Sequence, residues 1–138
     1  MNVISRPDVI DIPALQADPA PVVLDSPHSG TDYPADFRFA IDPAILRYGV
    51  DMDIDDIFGS APAFGASLIS ARFPRSYIDP NRSPLDIDPE MIDGNWPGEI
   101  EQSEKTASGH GLIWRVAGAE QAPIYDRKLT VAEVQNRI

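Results

Sequence analysis

The run "PVVLDSPHSG" alternates from apolar to polar within a few residues: Val22, Val23 and Leu24 read as a buried strand that delivers His28 to its carboxyl end. Residues 1–20 carry three prolines and scattered charge, and read as an irregular N-terminal arm. From Asp42 to Phe64 the apolar positions Ile45, Leu46, Val50, Ile54, Ile57 and Phe58 recur at three- and four-residue spacing. This predicts two helices, divided near Gly49 and stopped by Gly65. "ASLISARF" predicts a second strand and "GLIWRV" a third, separated by the long Pro- and Gly-broken stretch "PRSYIDPNRSPLDIDPEMIDGNWPG". Thr130 and Glu133 in "TVAE" form a capping box opening a last helix, whose apolar positions are Val131, Val134 and Ile138. That helix runs about two turns before the sequence stops. It reads as an element cut short, so the expectation is one domain over 1–138, incomplete as it stands, in the α/β class.

Composition narrows the partners. With 138 residues and 43% hydrophobic content the chain can bury a core. No apolar stretch approaches the ~18 residues of a membrane span, and no basic-then-apolar leader opens it. The reading is a soluble, cytoplasmic protein without a membrane partner. Cysteine is absent, which leaves His, Asp and Glu as the strong metal ligands. The formal charge of −11 argues against nucleic acid, because phosphate binding needs a basic patch. Yet nine of the eleven basic residues are Arg, the side chain that grips carboxylates at two points. A small anionic ligand is therefore compatible, since the overall field fades over about 8 Å at cellular salt and local arginines decide.

Three clusters carry candidate chemistry. His28 is approached through Pro27 and followed by Gly30, which suits a rigidly held ligand at a strand end, and equally a turn-capping histidine. "VDMDIDDIF" supplies Asp51, Asp53, Asp55 and Asp56; position six of a calcium loop would be Asp56 and position twelve Pro62, which excludes an EF-hand. One of these carboxylates can join His28 on a metal, or cap a helix start. In "RFPRSYIDPNR", Arg75, Asn81 and Arg82 can hold a carboxylate through amide and guanidinium donors. Ion pairs with Asp79 or Asp86 explain the same arginines without a ligand.

In order, "PHSG", "DMDIDDIF", "FPRSYIDPNR", "GHGLIW" and "PIYDRKLTVAEVQNRI" resemble the N-terminal half of the N-formylglutamate amidohydrolase family, over roughly residues 20 to 138. The resemblance implies a three-layer α/β/α fold with a mixed sheet, like that of zinc carboxypeptidases and aspartoacylase. It also implies a zinc-dependent amide hydrolase acting on N-acyl amino acids, N-formylglutamate to formate and glutamate being the expected reaction. By that comparison His28 looks like a zinc ligand and Asp51 the acidic ligand, with Asp32 and Asp53 as fallbacks. The carboxypeptidase pattern has Glu three residues after the first His, where this chain has Thr31. Asn81 and Arg82, in "PNR", would bind the substrate's α-carboxylate. Arg75 would steady the developing oxyanion, a role worth about 3–4 kcal/mol, although its spacing to Asn81 is one residue shorter than in aspartoacylase. Arg127 would meet a second carboxylate.

The family's third zinc ligand, a His in an "Asp-x-His-Ser" context, and its carboxylate base have no counterpart in this chain. His110 stands as the other histidine, a third ligand or a loop residue. A catalytic zinc keeps three protein ligands, so this chain reads as a half-site that by itself binds metal weakly and lacks the base that activates water, its expected partner a missing C-terminal half or a second copy in a homo-oligomer. The competing class is a non-catalytic carboxylate-binding module or pseudoenzyme fragment. DNA downstream of codon 138 encoding the missing His and Glu would favour the enzyme.

Overall fold

The structure, a computed structural model, describes residues 8–138. In chain order its elements are β1 (Ile10–Asp11), β2 (Val23–Ser26), α1 (Pro43–Leu46), α2 (Ile54–Ile57), β3 (Ser67–Ala71), β4 (Ile92–Asp93), α3 (Glu104–Ala107), β5 (Val116–Ala117), β6 (Ala122–Pro123), β7 (Leu129–Thr130) and α4 (Val131–Arg137). Short 3-10 turns occupy Arg47–Gly49, Ala61–Phe64 and Pro89–Met91. The fold is mixed α/β. The chain divides into two compact units, residues 8–32 with 50–74, and 33–49 with 75–138. Among the described residues no helix is long and apolar enough to cross a membrane.

The first unit is built on a mixed sheet in the order β1-β3-β2. β3 is central: it runs parallel to β2, with Leu24 opposite Leu68, and antiparallel to β1, with Ile10 opposite Ala71. Leu68 and Ser70 point into the unit, the period-two burial expected of a strand. Two expectations change here. Ile10–Asp11, within the segment read as an irregular arm, is a strand. Val22 and Val23 are exposed, because β2 lies at the edge of this sheet. Gly65 ends the Ala61–Phe64 turn in the left-handed region (φ +79), where a Cβ would sit 2.0 Å from the Asp18 carbonyl oxygen.

The two predicted helices are instead short pieces split between the units. α1 starts on Pro43 with the Asp42 carboxylate accepting from the Ala44 N–H at 2.8 Å, and passes into a 3-10 turn ending at Gly49. α2 begins after Asp53, whose φ of +62 interrupts any continuous helix. Ile57 and Phe58, counted as core by periodicity, are exposed.

The second unit holds a core of Ile87, Met91, Ile92, Leu112, Ile113, Leu129 and Val134. β4 and β7 pair in parallel, and β5 and β6 antiparallel. The strand predicted at "GLIWRV" survives only as Val116–Ala117. The reason is visible in its main chain: Leu112 donates to the Asp86 carbonyl and accepts from the Asp79 N–H, so this segment is bonded to the 79–86 loop. Three consecutive side chains, Leu112, Ile113 and Trp114, are buried, a pattern no half-buried strand can give.

α4 carries the predicted capping box, with Thr130 Oγ1 accepting from the Glu133 N–H at 3.2 Å and Glu133 Oε2 accepting from the Thr130 N–H at 2.8 Å. Thr130→Ala is expected to cost about 1 kcal/mol in urea denaturation. The carboxyl of Glu133 is held down to about 2 from its ordinary 4.5, chiefly by hydrogen bonding to Arg127, then by Thr130, against the opposing effect of burial. A folded pKa below the unfolded one means this stabilisation is complete above pH 4.5 and is lost as pH falls toward 2. A Glu133→Gln chain should accordingly show a shallower decline of melting temperature across that acid range.

Candidate functional site

In the first unit, β2 ends at Ser26 and Pro27 turns the chain so that His28 sits buried just beyond it. This loop is tied to the Asp51 segment at three points. The Asp51 N–H donates to the His28 carbonyl at 3.0 Å, Ser29 Oγ donates to the Asp51 carbonyl at 2.9 Å, and His28 Nδ1 lies 3.3 Å from Asp51 Oδ2. Ser26 Oγ and Ser29 Oγ bond each other at 2.6 Å, bracing the turn from below. Gly30 is required by space: a Cβ there would meet main-chain atoms of Arg72 and Phe73 at 2.4 Å.

His28 is enclosed while the Asp51 carboxylate is half exposed, so the pair opens to solvent on the carboxylate side. Their 3.3 Å separation serves a hydrogen bond when Nδ1 carries a proton. It also equals the spacing of about 3.3–3.5 Å that two ligands adopt on one tetrahedral zinc at bond lengths near 2.1 Å. The pair therefore fits a zinc as two of its ligands. Among the described residues no group of three or more His, Cys, Asp or Glu gathers at metal-binding spacing. Of the two fallbacks, Asp32 is taken by Arg72, whose Nε and Nη2 donate to its Oδ2 at 2.9 and 2.7 Å. Asp53 stands at the start of α2 and makes no side-chain cap.

In the second unit the "PRSYIDPNR" loop is organised by Asp79, which is fully buried. Its Oδ2 accepts from Arg75 Nε at 3.2 Å and Nη2 at 2.8 Å, and from Trp114 Nε1 at 3.4 Å; its Oδ1 accepts from the Asn81 N–H at 3.0 Å. Arg82 Nη2 lies 3.7 Å away. The Arg75 guanidinium also covers the Trp114 ring, 5.0 Å from its centroid. Arg82 donates from Nε to the His110 carbonyl at 3.1 Å and from Nη1 to the Asn81 carbonyl at 2.8 Å. The Asn81 side chain is exposed. Arg75, Asn81 and Arg82 are thus brought together around one carboxylate.

Of the two acids named as ion-pair partners, Asp79 takes that role. Asp86 instead receives the Ser103 N–H and Oγ at 2.8 Å each, and the Thr106 hydroxyl, which fastens the start of α3. Burial alone would raise its pKa, but these bonds and the nearby Arg82 bring it below the usual carboxylate value. His110 lies edge-on to Trp114, ring centroids 4.7 Å apart. Burial lowers its pKa from the ordinary 6.5, opposed by a backbone hydrogen bond at Ser108 and aided by the nearby Lys105, Arg75 and Arg82. Arg127 is bound to Glu133 by Nη1 at 3.0 Å and Nη2 at 2.6 Å, and steadies the cap of α4.

One cluster has no forerunner in the motif reading. Arg137 on α4 is buried against the rings of Tyr77, Phe37 and Tyr125, at 4.4, 5.6 and 5.6 Å, and its Nη1 donates to the Tyr77 carbonyl at 3.2 Å and the Tyr125 hydroxyl at 2.8 Å. It thereby anchors the loop that carries Arg75 and Arg82. Tyr77 in turn donates its hydroxyl to Asp36 at 2.8 Å, and burial followed by that bond pushes its pKa up to about 12. The only local signal was the aromatic spacing in "YPADFRF".

No curated protein matches the chain. Among solved structures, it is similar to the N-formylglutamate amidohydrolase from Ralstonia eutropha JMP134, with 49% sequence identity and a TM-score of 0.89 over 94% of this chain. The match spans 46% of that chain, so the protein covers about half the length of the relative. A family model described as N-formylglutamate amidohydrolase matches residues 20–138. That match takes in the His28 loop, Asp51 and the Asp79-centred loop alike, and the chain belongs to the N-formylglutamate amidohydrolase family.

Proposed function

We propose that this chain carries part of the active site of a zinc-dependent amide hydrolase that cleaves N-acyl amino acids, with N-formylglutamate, giving formate and glutamate, as the substrate. The observation that carries this reading is the His28–Asp51 pair: a buried imidazole nitrogen and a half-exposed carboxylate 3.3 Å apart, at the carboxyl end of a parallel strand, where α/β folds place ligands. His28 and Asp51 would hold the metal, and a third ligand and the general base would come from another polypeptide segment. Zinc, when bound, supplies the Lewis acidity that polarises a water and the scissile carbonyl. The complete fold would be a three-layer α/β/α arrangement of the carboxypeptidase kind.

The chain's own groups would do the rest. Asn81 offers a free-standing amide and Arg82 its remaining N–H groups to the substrate's α-carboxylate. Arg75, held by Asp79 and flattened on Trp114, keeps Nη1 for an oxygen that gains charge during amide cleavage. Arg127 would meet a second carboxylate only by leaving Glu133.

Calorimetric titration with zinc at neutral pH tests the reading without an activity assay. With two of its three ligands present, the parent chain should bind one zinc weakly, and His28→Ala should weaken that binding further by at least about 100-fold, beyond what loss of an outer-shell partner costs. A His28→Ala chain that binds zinc as tightly as the parent would sink it.

A further inference from the structure

We propose that a cleft in the first unit, walled by β3, α2 and the loop after His28, is a binding site for a small organic cation, a linear aliphatic diamine. Neither His28 nor Asp51 lines it, so it stands apart from the zinc reading and is tested separately. The cleft holds about 370 Å³, the size of a small-molecule pocket, and every residue around it belongs to the first unit.

Strand geometry aims one polar group into it. Side chains alternate along a strand, so Leu68, Ser70 and, one residue past its end, Arg72 share a face of β3, and all three line the cleft. Ser70 is only 7% exposed, and its hydroxyl has no hydrogen-bond partner among the described residues. A buried hydroxyl without a partner is costly until something in the cleft completes it. In the antiparallel pairing of β1 with β3, Asp11 stands opposite Ser70. Their side chains therefore leave the same face about 5 Å apart at Cβ, near enough for one donor to reach both.

The charge around the cleft is negative and largely unanswered. Arg72 is committed to Asp32, with Nε and Nη2 on its Oδ2 at 2.9 and 2.7 Å. Asp11, Asp55 and Asp56 also line the cleft, and among the described residues none of the three forms an ion pair. Asp55 and Asp56 belong to the "VDMDIDDIF" motif, which the pair with His28 uses only through Asp51. Three carboxylates around a concave, partly apolar wall concentrate a negative field where a cation can enter.

Size and spacing select the cation. Among the described residues no three acidic or imidazole groups converge at metal-binding distance, so a bare divalent ion lacks its ligand set. A primary ammonium needs less: it is a compact charge with three donors, suited to a carboxylate and a hydroxyl acceptor together. Asp11 with Ser70 supplies that set on the sheet wall, and Asp55 with Asp56 supplies carboxylates on the α2 wall. Two ammonium groups joined by a short aliphatic chain meet both walls, with Leu68 against the methylenes.

Titration of the isotope-labelled chain with putrescine at physiological salt, followed by amide chemical shifts, tests the site. Saturable one-to-one shifts confined to the amides around Asp11, Gly30, Asp55 and Ser70 are expected. Asp55→Asn combined with Asp56→Asn should weaken binding at least about tenfold, and Ser70→Ala about threefold. Asp11→Asn, at an exposed position, should give a loss of its own that is independent of α2. Butylamine, with one ammonium, should bind at least about tenfold more weakly than putrescine. Shifts that never saturate, or that survive all of these substitutions, mean a counterion cloud around a chain of charge −11 and overturn the proposal. So does magnesium chloride that moves the same amides and displaces putrescine at lower concentration, which would make the cleft an inorganic cation site.

Discussion

Asp79→Ala is expected to destabilise the chain by about 3–5 kcal/mol, the cost of removing one partner from a buried ion pair. Asp79 is wholly enclosed and takes two donors from Arg75, the Asn81 N–H and the Trp114 ring N–H, with Arg82 near by. Its loss strands two guanidiniums whose side chains are only 17% and 15% exposed. Asp79→Asn retains the acceptor for Asn81 but turns an amide toward the arginines, so it should recover less than half of the loss. Urea denaturation measures both through the midpoint at constant slope. A cost below about 1 kcal/mol, the worth of an exposed ion pair, would mean that Asp79 is not the hub of this loop.

Phe37→Ala should cost about 3–5 kcal/mol, the range for truncating an enclosed phenylalanine. Phe37 is fully buried and its ring meets Phe39 edge-on at 5.1 Å, Tyr77 at 5.4 Å and Tyr125 at 6.0 Å. Arg137 lies over the same ring, so the cavity would also loosen the anchor of the 75–82 loop. Phe37→Leu, which keeps most of the volume, should cost about 1.5 kcal/mol or less. Thermal unfolding followed by near-ultraviolet circular dichroism reads both the stability and the fixed environment of Tyr77 and Tyr125. Equal losses for the two substitutions would argue against ring packing as the source.

Both variants bear on the proposed chemistry, since each acts on the segment carrying Arg75, Asn81 and Arg82. The His28–Asp51 pair belongs to the other unit, and its zinc titration is therefore an independent test.

The motif order alone was enough to indicate the family, and local physics was enough for several elements. "VLDS" and "SLISA" are strands because branched and apolar residues repeat at short range, Gly65 ends a turn because it can take positive φ, and Thr130 with Glu133 caps α4 through bonds three residues apart. The pairing of His28 with Asp51 was anticipated from resemblance, not from spacing, since 23 residues separate them. Tertiary structure decided what depends on such distances. It made β2 an edge, bonded "GLIW" to the 79–86 loop instead of a sheet, and gave Asp79 rather than Asp86 to the arginines. It also gathered Phe37, Tyr77, Tyr125 and Arg137 from four separate segments. Periodicity reports the environment of a residue along its own element, whereas burial against a distant partner is set by which surfaces the folded chain brings together.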